Sequence, residues 1–231
     1  MKNVTEPTLK IIARIKTDFT EKFGIPRQSG MVDGTRAQIV FEPQYRNADA
    51  VRGLDGFSHI WLLWQFSESM REGWSPMVRP PRLGGNTRMG VFATRSPFRP
   101  NEIGLSSVKL ERIELTEDRG PILYVEGADM LDGTPIYDIK PYLAFTDSHP
   151  DATDGFTSSY SDYRLSVVFP SEFKELVDPK TAESLTGVLS ADPRPSYQHD
   201  PLREYGMVYA GYEVKFKVDG EILTVTDIKK A

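Results

Sequence analysis

The 231-residue chain has no cysteine and only three histidines, His59, His149 and His199. Without thiols there is no disulfide, no thiolate metal site and no cysteine nucleophile. The histidines stand far apart with no metal-ligand spacing, so no metal is expected. No apolar run approaches bilayer-spanning length. The N-terminal stretch MKNVTEPTLKIIARIKTDF lacks the apolar segment and small-residue cleavage site of a secretory signal. The expectation is a cytoplasmic protein with no membrane partner. Nucleotide fingerprints are missing too. RLGGNTRMG (82–90) is glycine-rich, yet it has neither G-x-G-x-x-G spacing nor a P-loop lysine, and a tight turn accounts for it. There is no G-x-S-x-G elbow, and Ser58-His59 reads as part of a strand rather than a nucleophile pair.

The formal net charge is −5, which argues against bulk nucleic-acid binding. The charge is uneven, however. From Arg79 to Pro100 there are five arginines, no lysine and no carboxylate. A local basic patch on an acidic protein can still steer a polyanion.

Short β-branched or aromatic runs recur at 9–16, 37–42, 58–67, 89–95, 106–115, 121–129 and 163–169, separated by Gly, Pro, Asn and Asp. That punctuation predicts a mainly β fold, a barrel or sandwich over residues 1–146, with a short helix at 47–54. Residues 146–162 are polar and turn-rich. The stretch 170–195 reads as two helical pieces interrupted at Pro179 and ended by Asp192-Pro193. Two alternating strands then flank Asp219-Gly220, a dipeptide suited to a tight hairpin turn. Residues 147–231 are therefore expected to form a smaller C-terminal α+β domain.

Three groups of residues carry candidate chemistry. Arg79, Arg82, Arg88, Arg95 and Arg99 offer planar guanidiniums matched to phosphate or carboxylate. A solvated loop would normally mix lysines and acids with them, so anion binding is the favoured reading. Phe92 and Phe98 are read as core residues. Asp129, Asp132 and Asp138 lie in GADMLDGTPIYDIKPY beside Lys140, where a well-capped turn explains them equally well. PRQSG (26–30) and ADPRPSY (191–197) each set an arginine between constraining residues, and Tyr197 has a ring able to stack on a base.

Taken in order, PRQSG, YRNADAVRGLDGFSHIWLLWQF, GWSPMVRPPRLGGNTRMGVFATRSPFRPNEIG, DMLDGTPIYDIKPYLAF and ADPRPSY resemble the successive signature blocks of the TsaA/TrmO family, over nearly the whole chain. The resemblance implies an S-adenosylmethionine-dependent tRNA methyltransferase on an N-terminal β-barrel that is not a Rossmann fold. It implies a homodimer that methylates N6 of threonylcarbamoyladenosine at position 37, in the anticodon loop of threonine tRNA. By position, the cofactor blocks fall on Gln28, Ser29 and Gly30, on Ser67, on Arg95, and on Asp129, Asp132, Gly133 and Thr134. Ser29 stands where the family commonly has proline, Ser67 where it has histidine, and Glu102 replaces the proline of Asn-Pro-Ile-Gly. Arg27, Arg82, Arg99, Lys140, Arg194 and Tyr197 are the expected tRNA contacts. Asp138 and Tyr142 are the candidates for positioning N6 or removing its proton. The rival reading is a non-catalytic RNA-binding or S-adenosylmethionine-sensing barrel, and a third is methyl transfer to a small acceptor.

Overall fold

The computed structural model describes residues 8–69, 73–83, 86–160, 163–195 and 197–231. Of Arg82 only the backbone is described, in a single 3-10 turn at Pro81–Leu83.

The first half builds strands β1 (Ala13–Thr17), β2 (Arg36–Phe41), β3 (His59–Gln65), the two-residue β4 (Met77–Val78) and β5 (Met89–Gly90), β6 (Ile103–Thr116), β7 (Gly120–Glu126) and β8 (Pro135–Pro141). Six of them close an antiparallel barrel in the order β1-β2-β7-β6-β3-β8, so that none of the six is left as an edge. Alternation fixes the faces. In β3, Ile60, Leu62 and Trp64 are buried while His59, Trp61, Leu63 and Gln65 point outward. The barrel interior is filled by Ile15, Ile39, Leu62, Val108, Leu123, Val125 and Ile136, among others.

Further along lie α1 (Ala144–Asp147), β9 (Ser166–Val168), α2 (Ser171–Lys174), α3 (Pro179–Ser190), β10 (Tyr205–Tyr209), β11 (Tyr212–Asp219) and β12 (Ile222–Lys230). Strands β10, β11 and β12 form an antiparallel meander, and β9 adds to β12 in parallel. Helix α3 lays Ala182, Leu185, Val188 and Leu189 on this sheet. Pro179 is the first residue of α3, where its missing N–H is harmless, and the Asp178 side chain caps the backbone N–H groups of Lys180 and Thr181 at 3.1 Å. It opens the second helix instead of breaking a longer one.

The second core draws on the N-terminal half. Phe19 and Val32 are buried in it, with Phe23, Ile25 and Met31 packed alongside. The Phe19 ring meets Tyr209 at 5.2 Å, Ala210 N–H donates to the Asp18 carbonyl, and Val208 N–H donates to Glu21 Oε1. Tyr209 donates its hydroxyl to Ser184 Oγ at 2.9 Å, and burial pushes its pKa up to about 12. The loop between β1 and β2 is thus pinned along β10.

Three expectations change. MGVFATR is no strand beyond Gly90, because Val91–Ala93 turn into a 3-10 helix. Phe92 is not a core residue: it is 70% exposed and stacks on Trp74 at 6.0 Å. The helix expected at 47–54 is two 3-10 turns, Ala48–Val51 and Leu54–Gly56, separated by Gly53 in the left-handed region.

Candidate active site

Outward residues of β3 and β6 lie side by side: Trp61 opposite Ser107, Leu63 opposite Leu105, Gln65 opposite Ile103. Over this face the chain builds two adjoining cavities of about 460 Å³ each. The first is a cleft between the barrel face and the β1–β2 loop. Trp61, Trp64, Phe66 and Leu105 give it aromatic and aliphatic walls, while Arg27, Gln28, Ser67, Arg95, Arg99, Asp129 and Thr134 bring polar atoms to it. The second cavity shares Trp61, Arg95 and Leu105 with the first and adds Ser29, His59, Ser107 and Tyr142.

Sequence-distant residues hold the cleft in shape. Gly30 N–H donates to the Gly127 carbonyl at 2.9 Å, which brings the Gln28–Gly30 turn against the end of β7. A Cβ on Gly127 would stand 3.2 Å from the Gly30 backbone, at a φ of +83°. Only glycine fits both demands. Arg95 Nη1 donates to the Gln28 side-chain oxygen, and Arg27 Nη2 donates to the Arg194 carbonyl at 3.0 Å.

At the cleft wall Trp64 Nε1 donates to Ser106 Oγ (2.9 Å), and Ser106 donates to Asp129 Oδ1 (2.6 Å). Burial pushes the Asp129 carboxyl above the usual carboxylate range. The Ser106 hydroxyl, backbone N–H groups and the Arg95 charge act in the opposite sense without cancelling it. A desolvated carboxylate facing a cleft is a strong acceptor for an ammonium or hydroxyl group.

Asp132, Gly133, Asp138, Lys140, Arg194 and Tyr197 line neither cavity. Asp132 Oδ1 accepts the Thr17 N–H at 3.0 Å, and the Gly133 carbonyl accepts from Arg14. The Asp132-Gly133 turn thus caps the end of β1, and its neighbour Thr134 closes on the Leu131 carbonyl at 2.7 Å. Asp138 Oδ2 pairs with Lys140 at 2.9 Å, and Asp138 Oδ1 accepts the Ile139 N–H. Arg194 is only 5% exposed, and its guanidinium is forked on Asp192 at 2.9 and 3.0 Å. Asp192 takes a left-handed φ of 53° to make that fork. Arg194 is thus buried on Asp192, and its carbonyl braces Arg27. Tyr197 is exposed. The Arg82 side chain lies outside the described residues. Arg99 Nη1 donates to the Thr94 carbonyl at 2.7 Å and so props the 91–94 turn from the cleft side. Glu102, the lone acid of its block, raises the Tyr137 hydroxyl pKa together with burial, burial being the larger cause.

Sequence reasoning missed His59, Trp61, Ser107 and the Trp64–Ser106–Asp129 chain. The period-2 pattern of SHIWLLWQF carried a signal for His59 and Trp61 as an outward pair. Ser107 needs the β3–β6 register, which no local pattern supplies.

Two family models match the chain: the tRNA-methyltransferase O N-terminal domain over residues 14–148, and the TrmO C-terminal domain over residues 162–231. A tRNA (adenine(37)-N6)-methyltransferase of Escherichia coli (strain K12) is 44% identical over 213 residues, covering 90% of this chain and 89% of the relative. A putative S-adenosylmethionine-dependent methyltransferase of Pseudomonas aeruginosa is 38% identical over 204 residues, covering 85% and 86%. A crystal structure of TrmO from the same genus and species superposes over 100% of both chains with a TM-score of 0.80 at 30% identity.

Proposed function

The chain belongs to the tRNA-methyltransferase O family, and from that premise we propose that it transfers the methyl group of S-adenosylmethionine to N6 of adenine 37 in tRNA. The observation that carries this reading is the pair of cavities meeting at Arg95, Trp61 and Leu105, since group transfer needs a donor site that opens onto an acceptor site. The acceptor in this reading is the threonylcarbamoyl-modified base of threonine tRNA, and the working form is a homodimer in the cytoplasm.

The first cleft suits the donor. Its aromatic walls favour a sulfonium cation, the Asp129 carboxylate accepts from an ammonium or ribose hydroxyl, and Arg95 with Gln28 offers partners to a carboxylate or base edge. When bound, S-adenosylmethionine supplies an electrophilic methyl group. The chain's own part is alignment: Trp61 and Leu105 wall both cavities and fix the direction of approach, and Arg95 is held by Gln28 at their junction. Asp138 is engaged by Lys140 outside both cavities, so no proton transfer is assigned to it, and orientation supplies the acceleration. Lys140, Arg27, Arg99 and exposed Tyr197 remain the proposed tRNA contacts among the expected residues whose side chains are described.

Incubation with methyl-labelled S-adenosylmethionine and total tRNA tests the reading. Label at N6 of adenine 37 is the expected outcome, with threonine tRNA the preferred species. Binding of both ligands with no label transferred would favour the non-catalytic sensing barrel. Sedimentation of the purified chain checks the dimer.

A further inference from the structure

We infer that the second cavity is the acceptor-base pocket, in which Trp61 and Tyr142, edged by His59, hold a purine turned out of the anticodon loop and present its exocyclic amine toward Arg95. The inference deepens the methyl-transfer reading and rests on it.

Three observations converge. First, the lining is aromatic and continuous: the ring centroids of Trp61 and Tyr142 lie 5.5 Å apart at 43°, and the His59 ring lies 6.2 Å from Tyr142, so the rings touch one another and offer a base their outer faces rather than a gap. Planar faces of this kind hold a base whatever its hydrogen-bonding edge. Second, the rings are fixed from behind. Trp61 Nε1 donates to Asp147 Oδ2 at 2.8 Å, and the same carboxylate oxygen accepts the Leu143 N–H at 2.9 Å. Those two bonds hold the Asp147 carboxyl below its usual range, the backbone one contributing most. Tyr142 N–H donates to the His59 carbonyl at 3.0 Å, and His59 Nδ1 lies 2.9 Å from Ser58 Oγ. A four-residue helix, α1, thus clamps the outer ends of β3 and β8 so that the faces are set before any ligand arrives. Third, the cavity opens beside the donor cleft rather than on a remote face, and Ser29 and Ser107 place hydroxyls at its sides for a polar substituent on the base. Approach is favoured by Lys140, paired across the barrel strands with Trp61, while Phe145 stands 88% exposed three residues past Tyr142. A protein that acts on a base inside a folded loop must take it out of the stack, and a rigid aromatic platform repays that unstacking.

The test uses an anticodon stem-loop RNA with 2-aminopurine at the acceptor position, bound in the presence of S-adenosylhomocysteine. Wild type, Tyr142→Phe, Tyr142→Ala and His59→Ala are compared. Stacking on the platform quenches the probe in wild type and Tyr142→Phe. Tyr142→Ala is expected to restore fluorescence severalfold and to weaken RNA binding by about tenfold, the range of one lost base–aromatic contact. Affinity for S-adenosylhomocysteine, read by calorimetry, stays within about twofold for every variant. Ser107→Trp, which fills the cavity from the β6 side and leaves the clamp intact, gives the same loss of RNA binding if Tyr142→Ala does not fold. Equal quenching and equal RNA affinity across all variants overturns the pocket. So does a Tyr142→Ala protein whose loss falls on S-adenosylhomocysteine alone, since the cavity then belongs to the donor. A wild-type chain that quenches the probe yet methylates no tRNA overturns the proposed function and leaves the pocket standing.

Discussion

Asp129 links stability to binding at a single residue. Its folded pKa lies above its unfolded value because burial disfavours the anion. Between the two values the folded chain keeps a proton that the unfolded chain has lost, so stability falls as pH rises through that window and stays lower above it. Replacing the carboxylate by its neutral isostere removes the buried charge. Asp129→Asn should therefore melt higher than wild type at pH 7.5 without ligand, by about 2 °C for a chain of this length, with no difference at pH 3. The same variant should bind S-adenosylmethionine at least about tenfold more weakly, through loss of a charge-assisted acceptor. A lower melting temperature with undiminished affinity would contradict both halves. Asp138 makes the opposite case. Its carboxylate is taken up by Lys140 and by the next backbone N–H, outside both cavities. Asp138→Asn should keep kcat within about threefold of wild type, since an exposed pair of this kind contributes at most about 1 kcal/mol, and a flat change across pH 6–9 would confirm that it removes no proton.

At the scale of elements, the β3–β6 pair carries the site, and Gly104 is its tightest point. A Cβ there would stand 2.2 Å from the Trp64 indole, directly opposite in the register. Gly104→Ala must push that ring aside and break its bond to Ser106, with a loss of about 1–3 kcal/mol in denaturant unfolding from overpacking. Cofactor affinity should fall with it, because Ser106 then no longer orients Asp129. Most of this architecture was legible. Alternation in AQIVFE and SHIWLLWQF placed β2 and β3, and Asp219-Gly220 marked the last hairpin. Strand β8 was not legible, because Pro135, Asp138, Lys140 and Pro141 hide its alternation and a register shift opposite Leu63–Trp64 interrupts it. MGVFATR misled because Val91 is buried while its neighbour Phe92 stacks on Trp74 at the surface, with a 3-10 turn in place of an alternating strand. In the site, Gln28, Arg95 and Asp129 came from family signature blocks. Arg194 was misplaced because its partner, Asp192, is found only once the intervening turn is built. His59 and Ser107 meet across a cavity that exists only after β3, β6 and β8 are assembled.

The whole molecule is two cores joined by one loop rather than two beads on a linker. Leu185 of α3 touches neither cavity, but it belongs to the core that holds Phe19 and Val32. Leu185→Ala should destabilise the protein by about 2–5 kcal/mol and weaken cofactor binding as well, because Arg27 and Gln28 ride on the same loop. Coincident melting of the barrel and α3, followed by near- and far-ultraviolet dichroism, is the matching expectation. The charge pattern also acts at this scale. With a net charge of −5 and an arginine block at one end of the barrel, tRNA binding should weaken steeply with salt. Arg88→Ala should lower the slope of log affinity against log salt by about 1 if that arginine meets a phosphate. The loop pinned along β10 has a bearing on how the protein comes into being. A ribosome delivers β1 to β8 first, and those strands can close their barrel as soon as they emerge. The side of the cleft that carries Arg27 and Gln28 is tied to the barrel only through Gly127 and Arg95 until β10 and its partners have been translated. Newborn chains therefore gain their full grip on cofactor only after β10, β11 and β12 leave the exit tunnel.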